Sequence, residues 1–279
     1  MKRWLATLLV FAVCSAVVRA DVTVVQTTTI EGGMAALAGG SLPSPTITSR
    51  IKGMRSRTDV DAGAAAAAPA VITITDLSAK QIIILRPDQK TATIGSAAAS
   101  AAAGAPAAPA ATAPAVEASV KPTGKSQVID GIKCDEYAFT TTMDMAAATG
   151  AAMPPEAAAA MQGVKMAMVG SMWVTKDVPG AADYVAYQKA AASIDMSGAA
   201  AGISGVNLPG MEKMMRAMGT IDGMAYLTEM TLKIEGIGQI ADMMRQMGPM
   251  KITLRTTSVK AEPLSDDLYK VPEGYTIVK

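Results

Sequence analysis

The alternation of apolar and polar residues is the feature that most constrains how this chain can fold. Even positions from Val164 to Val174 are apolar or Gly170, whereas the odd positions include Lys165, Ser171 and Thr175. A later segment repeats this alternation, with Met224, Tyr226, Met230, Leu232 and Ile234 set against Glu229, Thr231, Lys233 and Glu235. A period of two is typical of strands with one buried and one wet face, so we predict a meandering antiparallel sheet.

Further strands are indicated by β-branched runs between turn signals. The predicted strand regions are 22–30, 47–60 around Gly53, 71–74, 81–85, 90–94 and 127–142, the last broken by the turn pair Asp130-Gly131. Residues 76–80 close a predicted hairpin. The pattern predicts a mainly β fold.

Helical spacing occurs in three places, and two of them form an internal repeat. A helix is predicted over 181–196. Residues 211–219 and 240–248 align without gaps 29 positions apart and share Met-Met-Arg-x-Met-Gly. Their apolar stripes consist largely of methionines: Met211, Met214, Met215 and Met218, then Met243, Met244 and Met247. Gly219 and Gly248 stand where a left-handed C-terminal cap is favoured.

The chain begins with the pattern of a secretory signal peptide, predicted over residues 1–20. A basic start precedes about 15 apolar residues, fewer than the roughly 20 that a spanning helix needs. We therefore expect export to the periplasm or beyond the cell, with no spanning helix in the mature chain. Residues 21–279 are predicted to form a single domain interrupted by Ala/Pro-rich inserts at 62–70, 97–118 and 146–160.

Composition excludes several classes of function. Removing Lys2, Arg3 and Arg19 leaves 22 basic against 24 acidic residues, a balance of −2, so the mature chain has no basic footprint for nucleic acid. The absence of histidine excludes His-dependent triads and His metal ligands. Cys134 is the only mature cysteine, and we interpret it as a small buried strand residue.

Catalytic motifs are also lacking. The sequence contains neither a Gly-x-Ser-x-Gly nucleophile elbow nor a phosphate-binding loop with its lysine. The close acidic groups are Asp59-x-Asp61, Asp135-Glu136 and Asp266-Asp267, and adjacent strand residues point to opposite faces, so solvated charges are expected. We predict no enzymatic activity and no cofactor.

Three motifs together resemble a family of uncharacterised exported bacterial proteins. They are Thr123–Tyr137 (TGKSQVIDGIKCDEY), Met172–Asp177 (MWVTKD) and Leu264–Tyr275 (LSDDLYKVPEGY). The resemblance implies an antiparallel sheet curled into an incomplete β-barrel, with short Met-rich helices across its open side. That architecture is similar to the periplasmic lipoprotein carriers, whose concave face holds acyl chains, although the Ala-rich inserts depart from the compact family pattern. The family has no established catalytic residues.

The methionine pattern leads to the principal functional hypothesis. Thioethers are flexible and polarizable, so Met-lined helices over a Met-lined sheet can form a groove for an apolar or acyl ligand, either a lipid or an acylated protein. The seven repeat methionines are the predicted lining, and a monomer is expected. Packing into an ordinary core is the structural alternative. The functional alternatives are a Met-rich Cu(I)-binding protein and an envelope interaction protein without a small ligand.

Overall fold

A computed structural model describes residues 21–32, 44–61, 70–96, 117–144, 163–194, 216–236, 242, 245–246 and 248–278. Most of these residues lie in strands. The strands are β1 (Val22–Gly32), β2 (Thr46–Lys52), β3 (Arg55–Asp61), β4 (Val71–Asp76), β5 (Gln81–Arg86), β6 (Thr91–Ser96), β7 (Glu117–Ile129), β8 (Ile132–Asp144), β9 (Lys165–Thr175), β10 (Met224–Glu235), β11 (Met250–Ala261) and β12 (Thr276–Val278). Helix α1 spans Ala181–Ser193, and a 3₁₀ helix spans Asp266–Tyr269.

The twelve strands form one open sheet in the order β12-β6-β5-β4-β3-β2-β1-β11-β10-β9-β8-β7. Neighbours are antiparallel throughout, apart from β12, which runs parallel to β6. The predicted mainly β, antiparallel fold is therefore confirmed. The sheet is not closed into a barrel, since β7 and β12 are its two edges.

The turns lie close to their predicted positions. Asp130 and Gly131 join β7 to β8 with φ of 52° and 81°, the positive values that a two-residue hairpin turn needs. Strand β7 begins at Glu117, so it overlaps the last two residues of the insert predicted over 97–118, which pair with β8. The remaining insert residues 62–69, 97–116 and 146–160 lie outside the described residues.

The first strand joins the two halves of the sheet. Strand β1 pairs with β2 through its first six residues and with β11 along its whole length, from Val22–Ala261 to Gly32–Met250. A register shift in the β1–β11 ladder lies between Val25 and Gln26. One half therefore consists of β2–β6 with β12, and the other of β7–β11.

Helix α1 packs on the centre of the sheet. Tyr184 and Tyr187 contact the cluster that contains the buried residues Val22, Val24 and Ile51. The Tyr187 hydroxyl lies 2.6 Å from Ser56 Oγ on β3. The structure thus confirms the predicted helix, which ends at Ser193 rather than at residue 196.

Glycine has different roles in the two Met-containing repeats. Residues 216–219, 242 and 245–246 are helical. Gly248 has a φ of 78°, which confirms the left-handed conformation expected there, and its N–H donates to Arg245 O. The same expectation was wrong for Gly219, which is helical and whose φ is not in the left-handed range. A side chain at Gly219 would collide with Ala192 of α1, so close helix packing explains this glycine.

None of the described helices is long and apolar enough to cross a membrane, as predicted for the mature chain.

Candidate apolar binding face

Methionines from four strands, β8 to β11, meet on one face of the second half of the sheet; we call these four strands the β8–β11 half. In an antiparallel ladder, residues directly opposite each other point to the same face. Register aligns four successive rows across this face, Met143–Met166–Ile234, Thr141–Met168–Leu232–Met250, Phe139–Gly170–Met230–Ile252–Ile30 and Tyr137–Met172–Thr228–Leu254–Thr28. We call the residues of these rows the thioether face.

Burial changes along the thioether face. Met172, in the fourth row, is only 2% exposed and packs with Val174 and Ile221. The apolar side chains of the first three rows are only partly buried: Met143, Met166, Ile234, Met168, Leu232, Met250, Phe139, Met230, Ile252 and Ile30. Because the rows carry no charged side chain, these partly buried positions form a continuous apolar surface.

A glycine and an aromatic ring mark the middle of the thioether face. A Cβ built on Gly170 would lie 2.8 Å from Phe139 Cζ and would collide with the backbone of Glu229 and Met230. The Phe139 ring therefore occupies the space above Gly170, where other positions carry their own side chains.

The opposite face of the same strands carries the charged side chains, together with the apolar Ala167, Val169, Trp173 and Leu227. Lys165, Glu229, Lys233, Lys251 and Arg255 alternate in sequence with members of the thioether face, so they point to its reverse. Lys251 Nζ lies 3.8 Å from Glu229 Oε1 across the β10–β11 pair. This half of the sheet is thus amphipathic, as the alternation predicted.

Met218 is the one predicted lining residue that the structure describes. It is partly buried and packs against the cluster of Met172, Val174 and Ile221, at the fourth-row end of the face. The other six predicted lining residues lie outside the described residues: Met211, Met214, Met215, Met243, Met244 and Met247.

Our sequence interpretation missed Met143 and Met250 as neighbours of the predicted strand methionines. Met250, Ile252 and Leu254 alternate with Lys251, Thr253 and Arg255, which is the same period-two signal. Their position beside β10, however, depends on strand order, and local periodicity does not supply strand order.

The acidic groups considered for catalysis are bound to different partners. Asp59 pairs with Arg50 and Arg57, whereas Asp135 accepts a hydrogen bond from Ser126 Oγ at 2.6 Å. Asp266 and Asp267, although adjacent, diverge. Asp266 pairs with Lys52 and Arg55 of the sheet, and Asp267 pairs with Lys270 of its own segment.

Cys134 is a buried residue of β8, as predicted, with no exposed surface. Burial raises the pKa of its thiol, and the nearby carboxylates of Asp135, Asp177 and Asp130 raise it further. The thiol is therefore held in its protonated, weakly nucleophilic form. Across the described residues, no three His, Cys, Asp or Glu side chains come together as a metal-binding group.

No protein-family model matches this sequence, and no curated protein matches it. The resemblance to exported proteins with a lipoprotein-carrier-like fold therefore rests on its three motifs and stays a prediction.

Proposed function

We propose that this chain is an exported, non-enzymatic protein that binds an apolar or acyl ligand on the thioether face. The observation that carries the proposal is the alignment of partly buried apolar side chains from five strands in the first three rows. Soluble proteins rarely leave so continuous an apolar surface without a binding role. Each square ångström of apolar surface that a ligand covers contributes roughly 25 cal/mol.

An acyl chain suits the shape and chemistry of this face. Met166 and Met172 are six positions apart on β9, or roughly 20 Å at the usual strand rise. Unbranched thioether side chains adapt to irregular apolar shapes more readily than branched ones do. The rows contain no charged group that a bound hydrocarbon would desolvate. An acyl chain lying along the strands is therefore the ligand that we propose.

The Met-rich repeats are proposed to border the same site. Residues 216–219 precede β10, and Met218 packs at the fourth-row end. Residue Arg245, in the second repeat, donates to Gly236 O just beyond the other end of β10. We propose that the repeat methionines Met211, Met214, Met215, Met218, Met243, Met244 and Met247 complete the lining from these two ends. A lipid or an acylated protein, held by a monomer in the periplasm, is the proposed partner.

Neighbouring residues of β10 provide a matched test of the site. Leu232 belongs to the second row, whereas Thr231 points to the opposite face. Leu232→Asp should abolish binding of a fluorescent fatty acid, because it places a charge where the hydrocarbon would lie. Thr231→Asp should leave binding unchanged. Equal binding by both variants, each shown to be folded by circular dichroism, would refute the assignment.

Native mass spectrometry of protein purified from the periplasm tests the ligand class. We expect co-purifying acyl lipid at about one molecule per chain. A copper mass shift without lipid would instead support the metal-binding alternative, and a bare chain would favour an interaction protein.

The alternative of Cu(I) binding is favoured by one local feature. Met143 and Met166 are directly opposite each other, and Met168 is two residues further along the same face. Directly opposed residues have Cβ atoms about 5 Å apart, and thioethers are soft ligands that suit Cu(I). Titration with Cu(I) in the presence of a competing chelator tests this alternative. Met166→Leu should then lower metal affinity but retain fatty-acid binding.

A further inference from the structure

We propose that the partly buried methionines of the thioether face are sites of reversible oxidation, and that their oxidation releases the bound acyl chain. This inference rests on the proposed function and adds a modification that controls it. The modified residues would be Met143, Met166, Met168, Met230 and Met250.

The described methionines differ in exposure, and those of this face, like Met218 at its fourth-row end, are partly exposed. Met172 and Met224 are 2% and 0% exposed, so an oxidant in solution reaches them poorly. The five face methionines are partly exposed. Met54, in the turn between β2 and β3, is 36% exposed and lies outside the thioether rows. Met54 is therefore an internal reference for oxidation that should not affect binding.

The Cys134 thiol does not compete with these thioethers for the oxidant. Cys134 has no exposed surface, and burial raises its pKa above the ordinary value. Oxidation rate follows thiolate character and exposure, and Cys134 has little of either. The sulfur atoms that an oxidant meets first are therefore thioethers.

The chemistry requires only hydrogen peroxide. The sulfur lone pair attacks one peroxide oxygen, an S–O bond forms and the O–O bond breaks. The departing oxygen leaves as water after proton transfer, so the sulfur loses two electrons and the peroxide gains them. A dithiol-dependent methionine sulfoxide reductase reverses the step, forming water and a disulfide in the reductant.

A sulfoxide changes the binding free energy because its oxygen needs hydrogen-bond donors. In the second row Met168 is flanked by Thr141 and Leu232, and Met250 lies beyond Leu232. An acyl chain over this row would bury the new S–O dipole without supplying a donor, which disfavours the bound state. By linkage, a bound chain must equally disfavour oxidation of the same sulfurs.

The test measures oxidation and binding in the same protein. Full-length mature protein is treated with hydrogen peroxide, with and without a bound fluorescent fatty acid, and peptides are analysed by mass spectrometry. We expect the ligand to slow oxidation of Met166, Met168 and Met230 but not of Met54. Oxidation should weaken fatty-acid binding about tenfold per buried sulfoxide, and a sulfoxide reductase should restore it.

Variants separate the chemical effect from general damage. Met168→Gln imitates the polarity of the sulfoxide and should weaken binding about tenfold. Met168→Leu keeps an apolar side chain at the same position and should weaken binding less than Met168→Gln does, whereas Met54→Gln, outside the thioether rows, should bind like the natural protein. If the oxidised face or Met168→Gln retains full affinity, the oxidation switch is refuted while the binding site stands. If the untreated protein binds no fatty acid, the proposed function fails and the switch fails with it.

Discussion

The two halves of the sheet are built differently. In the β2–β6 half, β3 lies between α1 on one face and the C-terminal segment on the other. Ser56 contacts Tyr187 of α1, whereas the adjacent Arg57 donates to Leu268 O of the 3₁₀ helix. In strands β8–β11, one face carries the charged side chains among some apolar ones, and the other carries uncharged rows whose apolar side chains stay partly exposed in the first three rows.

The β2–β6 half, which we call the covered half, also shows how the C-terminal segment packs over an apolar cluster. Tyr269 packs with Ile74, Ile83, Leu85 and Ala92, and the segment that holds it continues into β12 beside β6. Both apolar and ionic contacts therefore fasten this segment to the sheet. The first three rows of the thioether face lack such a cover among the described residues, and on the proposed function they are the surface that a ligand would cover.

The largest expected effect comes from making the same substitution in both halves. Leu85 is fully buried, so Leu85→Ala should lower the free energy of unfolding by about 2–5 kcal/mol. Leu232 is partly exposed on the thioether face, so Leu232→Ala should cost about 1 kcal/mol. Urea denaturation of both variants measures the two losses. Equal losses would show that the thioether face is core and would break the comparison.

A second substitution tests how closely the β8–β11 half is packed around Gly170 of the thioether face. Gly170→Ala places a methyl group against the Phe139 ring and against the backbone of Glu229, which cannot move aside easily. We expect a loss of about 1–3 kcal/mol in the free energy of unfolding. The control is Ser171→Ala, one residue along on the opposite face, which should change stability by less than about 0.5 kcal/mol. A neutral Gly170→Ala would mean that this backbone can yield.

A third prediction concerns a buried hydroxyl of the covered half. Tyr269 is 6% exposed, and its hydroxyl has no hydrogen-bond partner among the described residues. Removing an unpartnered hydroxyl relieves a desolvation cost, so Tyr269→Phe should be neutral or stabilising by about 1 kcal/mol at pH 7. A clear destabilisation, measured by thermal unfolding, would reveal a hydrogen bond at this position.

Ionisation of the same tyrosine should lower the stability of the covered half at alkaline pH. Burial raises the pKa of Tyr269 to about 12, with a further contribution from Asp21, whereas an unfolded tyrosine has a pKa of about 10. The stability associated with the neutral phenol is therefore complete below pH 10 and is lost as pH rises toward 12. Thermal unfolding between pH 9 and pH 12 should show a smaller decline for Tyr269→Phe than for the natural protein.

Local sequence patterns predicted the strands better than their arrangement. Alternation identified β9 and β10, and the Asp130-Gly131 pair identified the turn between β7 and β8, because both signals depend on near neighbours. Strand β1 pairs with β11 through contacts such as the one between Gln26 and Thr256, which are 230 positions apart. Many registers satisfy the same periodicity over such a distance, so the sequence alone could not bring Met250 beside Leu232.

The C-terminal segment shows a second limit of sequence interpretation. Asp266 was expected to be a solvated charge and its side chain is 59% exposed, but its partners Lys52 and Arg55, more than two hundred positions earlier, were not predicted. Strand β12, parallel to β6, was not predicted, since three residues are too few for a periodic signal. Gly219 was assigned a capping role because it follows the last residue of a helical stripe. The structure instead explains this glycine by the close approach of α1, which leaves no room for a side chain.

The smallest expected effect is the acid dependence of the contact between Asp266 and the sheet. The hydrogen bond from Arg55 is the main cause that lowers the pKa of Asp266, and Lys52 lowers it further. An unfolded aspartate has a pKa of about 3.9, so the stabilisation is present above that pH and is lost as pH falls through the lower folded value. The melting temperature of Asp266→Asn should therefore lie a few degrees below that of the natural protein at pH 7, and the gap should close below about pH 4. Asp267→Asn is the matched control, because Asp267 pairs only with Lys270 of the same segment among the described contacts and does not fasten that segment to the sheet. If the two variants melt alike at pH 7, the ion pairs of Asp266 do not stabilise the C-terminal segment. Apolar packing around Tyr269 would then hold that segment on the sheet by itself, and the contrast between an ionically fastened half and an apolar face would disappear.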